Sequence, residues 1–203
     1  MNYIKAYSRI SNFSIQKNGK NIFQVRDQTS SEDFLNQAYS FLTFDYPKFY
    51  KMDMLSRAGL IASEILSGHW KNQYPGDEVA VVLSNSNSSS ETDSKFAASL
   101  KTYPSPSLFV YTLPNIVIGE ICIRNGWKGE NAFFISEEFD PALLKNYVDM
   151  VLENQFTSAC LAGWIEMNEN RQDVFLYLTD KNRQPASIDH TKEQLLNLYY
   201  GNF

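Results

Sequence analysis

The spacing of apolar residues switches along the chain between the period of two that belongs to strands and the three-to-four spacing of helices. Residues 1–10 and 22–26 predict two short strands, linked by the turn-rich Lys17-Asn18-Gly19-Lys20. Ser30-Ser31-Glu32-Asp33 is a helix-start signal, followed by Phe34, Leu35 and Ala38 on one face. Met52, Leu55, Gly59, Ala62 and Leu66 form one stripe and predict a helix over 53–66, closed by Gly68. Residues 79–83 are a continuous β-favouring apolar run, the mark of a strand covered on both faces. That run leads into a Ser/Asn loop over 84–90, at the strand end where α/β folds bind ligands; lacking phosphate-cradling glycines, it reads as solvated. A helix over 115–125 carries Ile116, Gly119, Cys122 and Ile123, and 132–135 is a short strand. Asp140-Pro141, an N-cap with proline at the first helical position, opens a helix with Leu144, Tyr147, Val148 and Val151 as its buried face. Strands at 157–165 and 174–178 form a hairpin with a loose polar turn, and 191–200 is a last helix with Thr191 and Gln194 spaced as a capping box. The order β, α, β, α, β, α, β, β predicts an α/β fold of three layers, a mixed sheet with helices on both faces.

Composition narrows the function classes. A chain of 203 residues fits one domain over 1–203 and buries a core without disulfides or metals. Lys and Arg number 18 against 23 Asp and Glu, a net charge of -5 that speaks against a nucleic-acid binder. The first residues alternate instead of forming a signal-peptide block, and no apolar run reaches the roughly 18–20 residues of a bilayer span. No membrane insertion and a cytoplasmic location are expected. Cys122 and Cys160 sit in apolar stretches and read as small core residues.

Candidate chemistry is sparse. No GxGxxG, Walker, HExxH, CxxC or GxSxG motif occurs. His69 and His190 have no His, Cys or carboxylate at metal-ligand spacing, so both read as structural or solvated, and no metal or cofactor is expected. With so few histidines, acid–base work would fall to carboxylates. Glu137 and Glu138, just ahead of Asp140, are the one acidic cluster at a helix N-terminus, where the helix dipole favours negative charge.

The stretch from Ser105-Pro106-Ser107 through Leu113-Pro114-Asn115 and Gly119 to Arg124-Asn125-Gly126-Trp127-Lys128-Gly129 resembles the β-ketoacyl synthase family. Lys51-Met52-Asp53 is similar to that family's basic-Met-Asp helix start, and the run at 79–83 with Thr92-Asp93 resembles its second strand and following loop. The strand at 132–135, the helix after it and Leu161-Ala162-Gly163-Trp164-Ile165 fit the later N-terminal elements. The resemblance covers roughly residues 1–180 and implies half of a thiolase-like fold. In whole condensing enzymes the first half carries a nucleophilic cysteine and the second a catalytic His pair or His/Asn pair. Here the count from Gly129 puts Glu138, or Glu137 with a one-residue slip, where the cysteine belongs, and no second half is seen. A carboxylate is a far weaker acyl carrier than a thiolate and repels a developing enolate.

The resemblance implies a non-catalytic ketosynthase-like accessory subunit of fatty-acid, polyketide or aryl-polyene-type assembly. Its partner would be a second copy or a complete ketosynthase, joined through the strand of Ala132, Phe133, Phe134 and Ile135. The left-over half-fold would bare a large apolar surface unless the early helix and the tail at 195–203 fold over it. Two alternatives stand beside this reading. One is a module that binds an acyl chain or acyl carrier protein, with Lys48, Lys51 and Arg57 as docking candidates; the other is an enzyme using Glu137 or Glu138 as general base.

Overall fold

Two tight hairpins open the chain in the computed structural model, which describes residues 1–26, 29–70 and 73–201. β1 (Tyr3–Ser11), β2 (Ser14–Lys17) and β3 (Lys20–Gln24) form an antiparallel meander. Asn18 and Gly19 make the second turn with φ of 49° and 74°, the left-handed pair that matches strand twist. Asn12 and Phe13 make the first turn the same way, with φ of 48° and 54°. A phenylalanine held there costs about 1–2 kcal/mol. Its ring packs edge-on against Phe34 at 5.8 Å, and its N–H donates to the Gln172 side chain at 2.7 Å. The sequence pattern misses β2 because Phe is no turn signal; only the tertiary contact holds it.

Helix α1 (Ser31–Leu42) starts where Ser30 accepts the Asp33 N–H, and α2 (Met54–Leu66) where Asp53 accepts the Ser56 N–H. Then follow β4 (Val79–Asn85), α3 (Ser90–Ser99), α4 (Pro106–Val110), α5 (Ile116–Asn125), β5 (Asn131–Ile135), α6 (Pro141–Glu153), β6 (Ala159–Met167), β7 (Gln172–Asp180), β8 (Ile188–Asp189) and α7 (Lys192–Tyr200). The sheet runs β3-β2-β1-β7-β6-β4-β5, with β8 on β1. β4 is parallel to β5 and β6; the other pairs are antiparallel. One face, with Val81, Leu83, Leu161 and Leu176, packs on α2 and, beyond it, α1 and α5. The other, with Val82, Trp164, Phe175 and Tyr177, packs on Leu144 and Val148 of α6 and Leu195 and Leu198 of α7. The three layers and mixed sheet are those expected.

Two glycines set the spacing. A Cβ on Gly59 would lie 2.4 Å from Val117 Cγ2 and 2.8 Å from Ile165 Cδ1, so this glycine lets α2 press between α5 and the sheet. Every residue of α2 except Glu64 is buried, where the pattern predicted a single stripe. At Gly163 (φ 155°) a Cβ would meet the Phe175 carbonyl oxygen at 1.9 Å.

Between 84 and 115 the structure departs most from the pattern. β4 runs on to Asn85 and α3 begins at Ser90, leaving a loop of 86–89 only. The sequence did not predict α3 or α4: Thr92 is the one buried residue of α3, and α4 has none. On α5 the buried residues are Val117, Ile118, Glu120 and Ile121, whereas Ile123 is 66% exposed. The face is turned because Glu120 is held inside by Lys48 Nζ at 2.6 Å and by the Tyr111 hydroxyl at 3.0 Å. Among the described residues no helix is long and apolar enough to cross a membrane.

Candidate functional site

Strand β5 lies at the rim of the sheet and, among the described residues, pairs with β4 alone. Val81 N–H donates to the Glu130 carbonyl and Ser136 N–H to the Asn85 carbonyl, both at 2.9 Å. The even-numbered residues therefore face β4, and Asn131, Phe133 and Ile135 turn their backbone N–H and C=O groups outward. Such an unpaired rim is a template for another strand. Phe133 and Phe134 point to opposite faces, as alternation demands. Phe133 joins the core beneath α2 and α5, and Phe134 the core beneath α6, where it meets Tyr147 edge-on at 4.9 Å. Ala132 and both phenylalanines are half-buried, while Ile135 is 54% exposed. The phenylalanines are thus spent mainly on the chain's own core, and the open rim offers backbone groups and Ile135.

Beyond β5 the chain turns through Ser136 to Asp140 into α6. Asp140 Oδ1 accepts the Ala142 and Leu143 N–H groups at 2.9 and 3.0 Å, so the helix N-terminus is capped from within. Glu137 and Glu138 are exposed and line an open cleft with Lys192, Leu196 and Tyr200. A general base tuned by burial needs a drier setting than this. Phe139, next to them, is buried: it stacks on Tyr199 of α7 at 4.2 Å and meets Phe175 edge-on at 5.6 Å.

Helix α7 therefore covers the sheet beside this corner, and α1 lies over α2 on the opposite side. Among the described residues, helices thus pack on both sheet faces, with the early helix and the tail helix among them. Tail residues 202 and 203 lie outside the described residues. Apolar exposure gathers instead around α3 and α4, at Leu100 (55%), Tyr103 (77%), Phe109 (61%) and Leu113 (57%). A sequence signal for this did exist: apolar residues follow one another between Pro104, Pro106 and Pro114 without helical period.

The remaining candidates are structural. Cys160 is fully buried in mid-strand, and burial pushes its thiol far up; Cys122, half-buried on α5, is pushed up to about 11. Neither favours the thiolate that nucleophilic catalysis requires. His190 is buried between Asp149 Oδ1 at 2.9 Å and the Tyr177 hydroxyl at 3.2 Å, and burial outweighs the carboxylate to lower its pKa. Two of the three docking cations are committed internally. Lys48, although exposed, pairs with Glu120, and Arg57 is buried against Glu32 and the Met52 and Tyr50 carbonyls; Lys51 stands exposed. The serine loop is knotted on itself: Ser86 N–H and Oγ both donate to buried Glu166, and Asn85 and Ser88 exchange two hydrogen bonds.

No protein-family model matches the chain, and no curated protein does. Solved structures do. The ishigamide ketosynthase/chain length factor superposes with a TM-score of 0.64 at 16% identity, over 89% of this chain and 62% of that one. A chain of the ketosynthase ApeO in complex with its chain length factor ApeC, from Xenorhabdus doucetiae, matches with a TM-score of 0.59 at 12% identity, over 99% of this chain and 91% of that one. A chain from AntDE:AntF (apo), a type II PKS acyl-carrier protein in complex with its ketosynthase bound to the hexaketide, gives 0.57 at 12% identity, over 88% and 62%. The protein spans less than two thirds of the first and third of these chains and nearly all of the second. At such identities the match speaks to fold, and the fold of this chain is the thiolase-like layered α/β arrangement of ketosynthase and chain length factor chains.

Proposed function

We propose that this protein is a ketosynthase-like accessory subunit without condensing chemistry of its own, acting beside a complete ketosynthase in polyketide, aryl-polyene or fatty-acid assembly. The observation that carries the reading is the match along 99% of this chain and 91% of a chain in a ketosynthase–chain length factor complex: a chain of comparable length and layering takes part in that assembly. The open rim of β5 supports pairing through Ala132, Phe133, Phe134 and Ile135. Loss of the nucleophile is supported by the exposed Glu138, or Glu137, at the corner before α6 and by two cysteines whose thiols burial holds protonated. A second copy of the chain is the other partner this rim would accept. Docking of an acyl carrier protein draws less support, since Lys48 and Arg57 are occupied.

The test is co-expression with the ketosynthase of the same host, followed by size-exclusion and sedimentation. A stable heterodimer is expected, and Ile135→Pro abolishes it: the Ile135 N–H faces away from β4, so proline is tolerated in the monomer yet cannot pair outward. A ketosynthase that purifies without this chain, while the chain stays monomeric at micromolar concentration, removes the proposal.

A further inference from the structure

Helix α5 carries a glycine that the chain's own fold does not call for. Gly119 lies in the helix interior, where glycine is the poorest helix former after proline. Gly59 of α2 is also a helix-interior glycine, but there Val117 and Ile165 leave no room for a Cβ. A Cβ on Gly119 would meet nothing within 4 Å among the described residues. One helical turn on, Ile123 is 66% exposed. A weak helix former and a bare isoleucine thus share one side of a helix whose other side is well packed.

Helix geometry says which way that side looks. α2 packs on α5 at Val117 and Ile121, with Gly59 at the closest approach. Gly119 stands two residues from Val117, about 200° round the helix, and Ile123 about 40° further. Both therefore lie on the flank away from α2. α2 itself covers β1, β7 and β6, whereas α5 lies over β4, one strand in from the rim. Phe133 of β5 joins the same core beneath α5. The flank of α5 that bears Gly119 is thus the one on the side of the open β5 rim.

We infer that Gly119 is where a helix of the partner subunit crosses α5, the partner being the complete ketosynthase and the helix the one that precedes its own rim strand. The inference rests on the pairing proposed above and adds a second contact to it. A partner of the same layered fold that offers its rim strand to β5 is related to this chain by a two-fold axis normal to the sheet. Each sheet face then runs on into the same face of the partner, and the helix above the partner's rim arrives beside α5. Strands in a joined sheet lie about 4.8 Å apart, which fixes how closely the helices above them meet. Without a side chain at 119 the helices can come nearer than the usual interaxial distance of about 8–10 Å. Ile123 then finds apolar cover beside the crossing.

The test compares Gly119→Leu with the parent, alone and mixed with the ketosynthase of the same host, by thermal unfolding and by sedimentation over a concentration series. Alone, the variant is expected to melt at or above the parent's midpoint, because it fills open space and removes a helix glycine. Mixed, it should bind the ketosynthase about tenfold to a hundredfold more weakly, the scale of a side chain forced into a packed contact. A variant that pairs as tightly as the parent overturns the inference and leaves the pairing itself standing. A lowered midpoint overturns it too, since the chain's own fold would then need the glycine. A homodimer weakened by Gly119→Leu, with no heterodimer formed, overturns the choice of partner. A parent chain that binds neither the ketosynthase nor itself removes the pairing and this inference with it.

Discussion

Replacing Tyr199 by phenylalanine removes a single hydroxyl from the contact that seats α7 on the sheet. That hydroxyl donates to Asp173 Oδ2 at 2.7 Å. Asp173 also takes Arg171 at 2.9 Å and Trp164 Nε1 at 3.2 Å on the same oxygen, and Arg9 at 2.6 Å on the other. The ring keeps its stack on Phe139 and its place under the Arg9 guanidinium at 4.5 Å, so only the hydrogen bond is lost. Hydrogen bonds to charged groups contribute about 1.5–3 kcal/mol; because three donors remain, the expected loss lies at the low end, about 1.5 kcal/mol. A pH signature goes with it. Burial pushes the Asp173 carboxyl up, but the Arg9 charge, the Tyr199 hydroxyl and Arg171 together hold it below 3.8. A carboxyl depressed by folding contributes stability above its unfolded pKa and loses it as pH falls through the folded value. Without the Tyr199 hydroxyl the folded pKa moves back up, so the two proteins differ most at neutral pH and converge as Asp173 becomes protonated. Urea unfolding of both across the acid range measures the difference, and other titrating groups cancel in it. A gap below about 0.5 kcal/mol at neutral pH, the scale of an inconsequential surface change, would refute the reasoning. So would a gap that stays constant into acid.

Gly163→Ala forces a Cβ into the Phe175 carbonyl at a φ of 155°, where β6 and β7 are locked as neighbours. The expected cost is about 3 kcal/mol or more, and a denaturation midpoint equal to the parent's would contradict it. Maleimide labelling of the native protein should modify Cys122 slowly and Cys160 only on global unfolding, as their burial dictates; equal rates at the two thiols would show that β6 opens locally.

Elements whose partners lie within one turn of helix or one strand were readable from residue order. The Asp53 cap, the Ser30 cap and the buried run of β4 depend on local chemistry and stand where the pattern puts them. Where a distant residue decides, the pattern fails. Phe13 holds a turn because Phe34 and Gln172 receive it, and Glu120 turns inward because Lys48 and Tyr111 meet it there. Helices α3 and α4 bury too little to imprint any period. At the candidate site, the rim strand and the Asp140 cap were legible. The covering of the corner by α7 was not, since it rests on Phe139 meeting Tyr199 sixty residues later.

The seat of β1 in the middle of the sheet has a consequence for how the protein is made. Its buried neighbour is β7, and the Arg9–Asp173 contact joins residues 164 positions apart. At a synthesis rate of roughly 5–20 residues per second, the first strand waits on the order of ten to thirty seconds before its companion leaves the ribosome. The two hairpins can close at once on one side. The other edge, whose backbone pairs with β7 in the finished sheet, stays open to any passing strand throughout that interval. Slow codons or a chaperone would act in that window, and a circular permutant that begins at β6 would shorten the wait to the length of β8, α7 and a linker.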